Sequence, residues 1–174
     1  MQDYDERLFN CGPDGAGQAW GDVLQPYLKN TGVLNCPSAT YKMGVNPGPP
    51  AHYWRRNEAS PPANTWYSYG MNAWYDSTAP ATQGPSGLAM AQINRPAEII
   101  LFADGDGASP YGINAGPFTD TNVRDQIAWQ RHNDGLNFAY VDGHVKWSKY
   151  SMTTAAGSAG TAAQRDVPWN ALRP

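Results

Sequence analysis

Charged residues are scarce in this chain, at 16% of its residues, and there is no excess of basic residues. The formal net charge is -3, from 12 lysines and arginines against 15 aspartates and glutamates. A protein without a basic surface has no electrostatic means of following a phosphate backbone or an anionic lipid surface. Nucleic acid is therefore not an expected partner.

A long hydrophobic run is also missing. The longest apolar stretch covers residues 99–103, whereas a membrane-spanning helix needs about 20 consecutive apolar residues. No leader peptide is recognisable after Met1. These features predict either a cytosolic protein or one whose targeting segment is missing from this chain.

Cysteine is nearly absent, with only Cys11 and Cys36 present. The two lack the Cys-x-x-Cys spacing and have no histidine near them in sequence, so they form no recognisable zinc or redox motif. Two interpretations stay open. They are either two buried thiols or a disulfide, which would stabilise the fold by roughly 3 kcal/mol if the protein matures in an oxidising compartment.

Proline, glycine and aromatic residues are abundant instead, with 15 Pro, 18 Gly, 7 Trp and 10 Tyr. This composition predicts many turns and long loops held by aromatic rings, a profile more common outside the cytoplasm. The length of 174 residues suits one domain. We assign residues 1–150 to a globular head and residues 151–174 to a low-complexity tail, in which Trp169 and Leu172 form a docking segment.

Hydrophobic periodicity predicts one short helix and several strands. A helix with one buried face, interrupted or kinked at Pro26, is indicated by Trp20, Val23, Leu24, Tyr27 and Leu28. Residues 1–10 are compatible with the last turns of a longer helix. Alternation predicts a strand within residues 65–75, and the β-branched run at residues 98–103 predicts a buried central strand. The expected fold is α+β, with an antiparallel sheet.

The strongest local signal is Asp142-Gly143, which lies between two alternating runs. Both residues tolerate the positive φ angles of a two-residue type I′ turn. That turn would place His144 on the wetter face of a hairpin. It would place on the core face Leu136, Phe138, Tyr140, Val145 and Trp147. Geometry thus explains Asp142 and His144 before any chemistry is invoked.

The main candidate metal site is the segment that contains Asp104 and Asp106. It fails the EF-hand template, since Ala115 stands where the template requires its last glutamate, but carboxylates on a glycine-flexed loop suit calcium. The alternative is that these Asp-Gly pairs only end a strand. No motif proposes a catalytic nucleophile, and no cofactor other than calcium is expected.

Several motifs, in their order along the chain, resemble those of bacterial type IV pilins and type II secretion pseudopilins. His132 precedes Asp142-Gly143 by the spacing of the H-x9-DG signature associated with prepilin-type processing. The accompanying motifs are QDYDE at 2–6, LQPYLKN at 24–30, VLNCPS at 33–38, YGMN at 69–72 and the segment 96–105. Together they cover residues 2–149.

The resemblance implies a pilin-like head, in which the end of an N-terminal helix and a short helical segment pack on an antiparallel sheet with long loops and a C-terminal hairpin. It implies a location in the periplasm or at the cell surface, with membrane attachment only through an N-terminal helix that this chain lacks. It also favours a disulfide between Cys11 and Cys36 and a calcium ion near Asp104 and Asp106.

The resemblance favours a non-enzymatic structural subunit, a minor pilin or pseudopilin, whose partners are other subunits and the secretion machinery. The resemblance implies a structural role for His132, Asp142 and Gly143. A second hypothesis is an extracellular module that binds polysaccharide through the exposed rings of Tyr53, Trp54, Trp66 and Trp74. A third is a hydrolase or metal enzyme, which requires one pocket to contain His132, Asp142 and Asp104.

Overall fold

The computed structural model of the protein describes residues 6–11, 20–28, 30–39, 45–46, 52–53, 68–73, 84–105, 112–113, 127–128 and 130–149. The predicted tail at residues 151–174 and the predicted domain boundary at residue 150 lie outside these stretches.

Among the described residues, the elements are, in order, α1 (Trp20–Leu28), a 3-10 helix (Thr31–Leu34), β1 (Val45–Asn46), β2 (His52–Tyr53), β3 (Tyr69–Asn72), a 3-10 helix (Met90–Gln92), β4 (Ile100–Asp104), β5 (Gly112–Ile113), β6 (Leu136–Tyr140) and β7 (Val145–Ser148). β1 and β2 pair with each other, and the other strands form one sheet in the order β5-β3-β4-β6-β7. The pairs β3–β4, β4–β6 and β6–β7 are antiparallel, and β5 joins β3 in parallel. This mainly antiparallel sheet, with little helix among the described residues, is compatible with the predicted α+β class.

β4 is the central strand of the larger sheet, as its β-branched and aromatic sequence predicts. It begins at Ile100, slightly later than expected, and continues to Asp104. Both of these residues are buried, as is Ala103. Asp104 pairs directly with Tyr69 of β3. The end of β4 thus brings an acidic side chain into the protein interior beside a tyrosine.

Helix α1 confirms the predicted helical segment and runs continuously through Pro26. Trp20 is buried and packs with Met71, and its ring centroid lies 5.0 Å from that of Phe102 in β4. Tyr27, in contrast, is 80% exposed. The buried face of the helix is thus narrower than the periodicity predicts.

Residues 6–11 are not helical, which corrects, for this described part, the expectation that residues 1–10 end a helix. Arg7 forms an antiparallel bridge with Ala89, and the Leu8 N–H donates to the Leu88 carbonyl over 2.9 Å. Leu8 also packs against a buried apolar cluster. Because this pairing satisfies main-chain groups and buries apolar surface together, it outweighs the weak local preference for a helix.

A three-residue turn joins β6 to β7, which corrects the predicted type I′ turn. Ala139 pairs with Val145, and the Gly143 N–H donates to the Tyr140 carbonyl over 2.9 Å. Gly143 has the predicted positive φ, at 93°. A turn whose last residue is a glycine at positive φ adds a bulge, so the strand pairing shifts by one residue.

This shift reverses the two faces of β7, because successive side chains of a strand point to opposite sides of the sheet. Leu136 and Phe138 of β6 are buried as predicted. Val145 and Trp147 lie on the other face, where they are 67% and 47% exposed. The expectation that these two residues belong to the core is therefore wrong.

Trp147 nevertheless contacts the residues that precede β6. Its indole N–H donates to the His132 carbonyl over 2.8 Å, and its ring occupies the space beside Gly135. Trp147→Ala should lower the free energy of unfolding by about 1–2 kcal/mol, because one hydrogen bond and a half-buried ring are lost. Urea unfolding followed by circular dichroism measures this change.

Val145→Ala is the matched control, since Val145 lies on the same face of the same strand and is more exposed. This control should change the unfolding free energy by less than about 0.5 kcal/mol. Equal losses in the two variants would show that strand propensity, and not the contacts of Trp147, causes the effect.

Candidate functional site

A cysteine, an aspartate and a histidine from distant parts of the chain meet at the end of the central strand. The Sγ of Cys36 lies 3.5 Å from the Nε2 of His132. The same Nε2 lies 3.5 Å from the Oδ2 of Asp104. These three donor atoms all lie within 4.8 Å of one another. We call Cys36, Asp104 and His132 the Cys-Asp-His cluster.

Cys36 follows the 3-10 helix Thr31–Leu34, where local hydrogen bonds fix the backbone. The Asn30 side chain caps this helix by accepting from the Gly32 N–H over 2.8 Å. On the other side, the Ala39 N–H donates to the Cys36 carbonyl over 3.0 Å and closes a turn. The Cys36 side chain is buried between these two turns.

Asp104 is the last residue of β4 and is 1% exposed. Its Oδ2 accepts two hydrogen bonds from Asn137, one from the backbone N–H at 2.7 Å and one from the side-chain amide at 3.2 Å. Its Oδ1 is buried and has no hydrogen-bond partner among the described residues. Such an oxygen is costly and rare in native proteins, so it points to a ligand at this position.

His132 lies in the tight loop that leads into β6. The His132 N–H donates to the Gly135 carbonyl over 3.0 Å, and the Gly135 N–H donates back to the His132 carbonyl over 3.2 Å. Between them, Asn133 and Asp134 have φ angles of 55° and 59°, which asparagine and aspartate adopt more readily than other residues. This loop and the hydrogen bond from Trp147 hold His132 beside the other two members of the cluster.

Tyr69 borders the cluster through its pairing with Asp104. Burial raises the pKa of the Tyr69 phenol, and the neighbouring Cys36 and Asp104 raise it further. The phenol therefore stays protonated at neutral pH and makes a hydrogen bond with the Cys36 side chain.

Arg131 connects the cluster to the surrounding strands. Its guanidinium donates to the carbonyl of Ser68, just before β3, over 3.0 Å and to that of Gly105, just after β4, over 2.6 Å. Its positive charge opposes the rise in the pKa of Tyr69, although burial dominates. Because Arg131 precedes His132 directly, these bonds also fix the start of the His132 loop.

The cluster differs in geometry from a catalytic triad. The histidine of a triad uses one ring nitrogen for the nucleophile and the other for the carboxylate. Here the same nitrogen of His132 faces both Cys36 and Asp104. Three donor atoms that surround one point are instead the arrangement of metal ligands.

The donors of the cluster do not suit calcium, the ion predicted at Asp104 and Asp106. Calcium takes about six to eight oxygen ligands, whereas the cluster offers one sulfur, one nitrogen and one carboxylate. Asp104 therefore lies in a candidate metal site, but with partners other than those expected. Asp106 lies outside the described residues.

Asp142 and Gly143 lie at the hairpin tip, at the opposite end of β6 from His132. The Asp142 carboxylate accepts from the His144 backbone N–H over 3.1 Å, and one of its oxygens lies 2.6 Å from the imidazole Nδ1. These two hydrogen bonds lower the pKa of the Asp142 carboxyl. Of the three residues that the enzyme hypothesis brings together, the cluster thus contains His132 and Asp104 but not Asp142.

The predicted disulfide is not formed in the structure, where Cys11 and Cys36 are both thiols. The Cys36 sulfur faces His132 instead, and the Cys11 backbone N–H donates to the Ser86 hydroxyl over 2.9 Å. Sequence reasoning did not associate Cys36 with His132, because the two are 96 positions apart. A local spacing motif cannot signal such a contact.

The polysaccharide hypothesis depends on residues that the structure leaves undescribed. Trp54, Trp66 and Trp74 lie outside the described stretches, and Tyr53 is described only as a position in β2.

Within the described part of the chain, no helix has the length and apolar character needed to cross a membrane. Comparison of the chain with protein families, curated proteins and solved structures finds no match.

Proposed function

We propose that this chain is the head of a non-enzymatic structural subunit, a minor pilin or pseudopilin, in a filament anchored to the bacterial envelope. The proposal rests on the ordered motifs that resemble those of type IV pilins and pseudopilins. An α+β head with an antiparallel sheet is compatible with it. The partners would be other filament subunits and the secretion machinery. The head would lie in the periplasm or at the cell surface, attached to the membrane by an N-terminal helix.

The observation that carries the proposal is the way the signature residues support the hairpin backbone. The His132 carbonyl accepts the indole N–H of Trp147. The Asp142 side chain accepts the backbone N–H of His144, and Gly143 supplies the positive φ that the turn requires. A signature used for catalysis would instead direct all of its side chains into one pocket.

Assembly can be tested in cells that produce the full-length protein. Filaments sheared from the cell surface should contain the protein, as detected with an antibody against the head. Deletion of the gene should impair secretion or surface attachment, and the wild-type gene should restore the lost function. The Val145→Ala variant should restore it as well, because this change leaves the fold intact.

If the protein is absent from sheared filaments and its deletion leaves both secretion and attachment intact, the filament function is wrong. Binding of the purified head to a polysaccharide isolated from those cells would then favour an adhesion module.

A further inference from the structure

We propose that the Cys-Asp-His cluster binds one zinc ion, with Cys36, Asp104 and His132 as its protein ligands. The function proposed above assigns no metal ion to this cluster, so this site goes beyond it. Three separate features support it, namely the spacing of the donor atoms, the unpartnered buried oxygen of Asp104 and the chemical type of the donors.

Two of the three donor separations are those that a tetrahedral zinc ion requires. Zinc bonds of about 2.3 Å to sulfur and about 2.0 Å to nitrogen, set at tetrahedral angles, place these two ligands about 3.5 Å apart. The Cys36 Sγ and His132 Nε2 are 3.5 Å apart. The His132 Nε2 and Asp104 Oδ2 are also 3.5 Å apart, close to the roughly 3.4 Å expected for a nitrogen and an oxygen ligand. Zinc would therefore fit both pairs that include His132, and the Cys36 and Asp104 donor atoms lie within 4.8 Å of each other.

The buried carboxylate of Asp104 provides the second feature. Its side chain is fully buried, its Oδ1 has no partner in the part of the chain that the structure describes, and its Oδ2 accepts from the neutral amides of Asn137. A carboxylate in a low-dielectric interior needs a positive partner as well as hydrogen bonds. A divalent ion would neutralise Asp104 and a Cys36 thiolate together, and binding through both carboxylate oxygens would also give Oδ1 the partner that it lacks among the described residues.

The donor types select zinc among the common divalent ions. A thiolate and an imidazole bind zinc well, whereas calcium and magnesium prefer oxygen ligands. Three protein ligands leave the fourth tetrahedral position for water. The His132 side chain is 27% exposed, so an ion and its water can reach the cluster from that side.

Neighbouring residues hold the ligands in place. Tyr69 makes a hydrogen bond with Cys36, and Asn137 donates twice to Asp104. Such outer contacts orient metal ligands and strengthen binding. The ion would connect the turn after the first 3-10 helix, the end of β4 and the loop before β6, and so would stabilise the head.

Zinc binding can be measured on the reduced, chelator-treated whole chain by isothermal titration calorimetry. One zinc ion per chain should bind, calcium should not compete, and the melting temperature should rise when zinc is added. Cobalt, used as a spectroscopic substitute for zinc, should produce a thiolate-to-metal charge-transfer absorption. That absorption reports the Cys36–metal bond directly and does not depend on stability.

Two ligand variants and two matched controls locate the site. Cys36→Ser and His132→Gln should each weaken zinc binding more than 100-fold, beyond the roughly 10–100-fold effect of losing a supporting residue. Cys11→Ser removes the other thiol, and His144→Gln removes an exposed imidazole that pairs with the Asp142 carboxylate over 2.6 Å. Both controls should bind zinc as tightly as the wild type.

Circular dichroism shows whether each variant is folded. If Cys36→Ser does not fold, titration of the wild type and the cobalt absorption decide the matter. The proposal is overturned if the folded wild type binds no zinc, if a folded Cys36→Ser protein keeps full affinity, or if His144→Gln abolishes binding.

Discussion

Trp20→Ala should lower the free energy of unfolding by about 3–5 kcal/mol, the largest loss we expect from a single core truncation. Trp20 is 1% exposed and packs against residues of the first 3-10 helix, β3 and β4. It packs with Leu34 and Met71, and its ring lies tilted by 58° against that of Phe102 in the central strand. The alanine side chain would leave a cavity between α1 and the sheet, and urea unfolding followed by circular dichroism would measure its cost.

Tyr27→Ala provides the control in the same helix. Tyr27 is 80% exposed, so its loss should change the unfolding free energy by less than about 0.5 kcal/mol. The comparison separates packing from helix propensity, because both variants introduce alanine into α1. If the two variants lose the same stability, α1 does not pack on the sheet through Trp20.

Gly135→Ala should lower the unfolding free energy by about 3 kcal/mol, the upper end of the usual range for overpacking. A Cβ atom at this position would lie 2.5 Å from the ring of Trp147 and 2.7 Å from the backbone carbonyl oxygen of Ser148. The ring can move, but the carbonyl belongs to β7 and cannot shift without breaking the hairpin. Thermal and urea unfolding would measure the loss.

The double variant Gly135→Ala/Trp147→Ala identifies the contact that matters. If the Ser148 carbonyl is the obstacle, Gly135→Ala should remain destabilising by more than about 1 kcal/mol in the Trp147→Ala background. Gly143→Ala is the control for backbone strain alone, since Gly143 has a φ of 93° and open space around it. It should cost about 1–2 kcal/mol. Full relief of the Gly135 effect by Trp147→Ala would contradict this explanation.

Local patterns predicted those elements whose signals lie within a few residues. The β-branched run at residues 98–103 indicated a buried central strand, and β4 occupies that position. Apolar residues at helical spacing indicated α1. Asp142-Gly143 indicated a hairpin, and Gly143 has the positive φ that this motif requires. In each case the backbone preference and the local apolar pattern favour the same structure.

Local patterns did not determine the register of the hairpin. Two-residue and three-residue turns both accept an Asp-Gly sequence, so the turn signal leaves the register open by one residue. A shift of one residue exchanges the faces of a strand. With the three-residue turn, Val145 is exposed and Trp147 is half-buried. The indole N–H of Trp147 can then donate a hydrogen bond to the His132 carbonyl.

The sequence by itself determined the α+β class, the helix, the central strand and the hairpin. It also identified Asp104 and His132 as candidate site residues. Only the tertiary structure decided that residues 6–11 pair with the chain around Leu88 and that Cys36 joins Asp104 and His132. The physical reason is the range of the interactions. Backbone preferences and side-chain periodicity act between near neighbours, whereas Cys36 and His132 meet across 96 positions only after the strands have paired around β4.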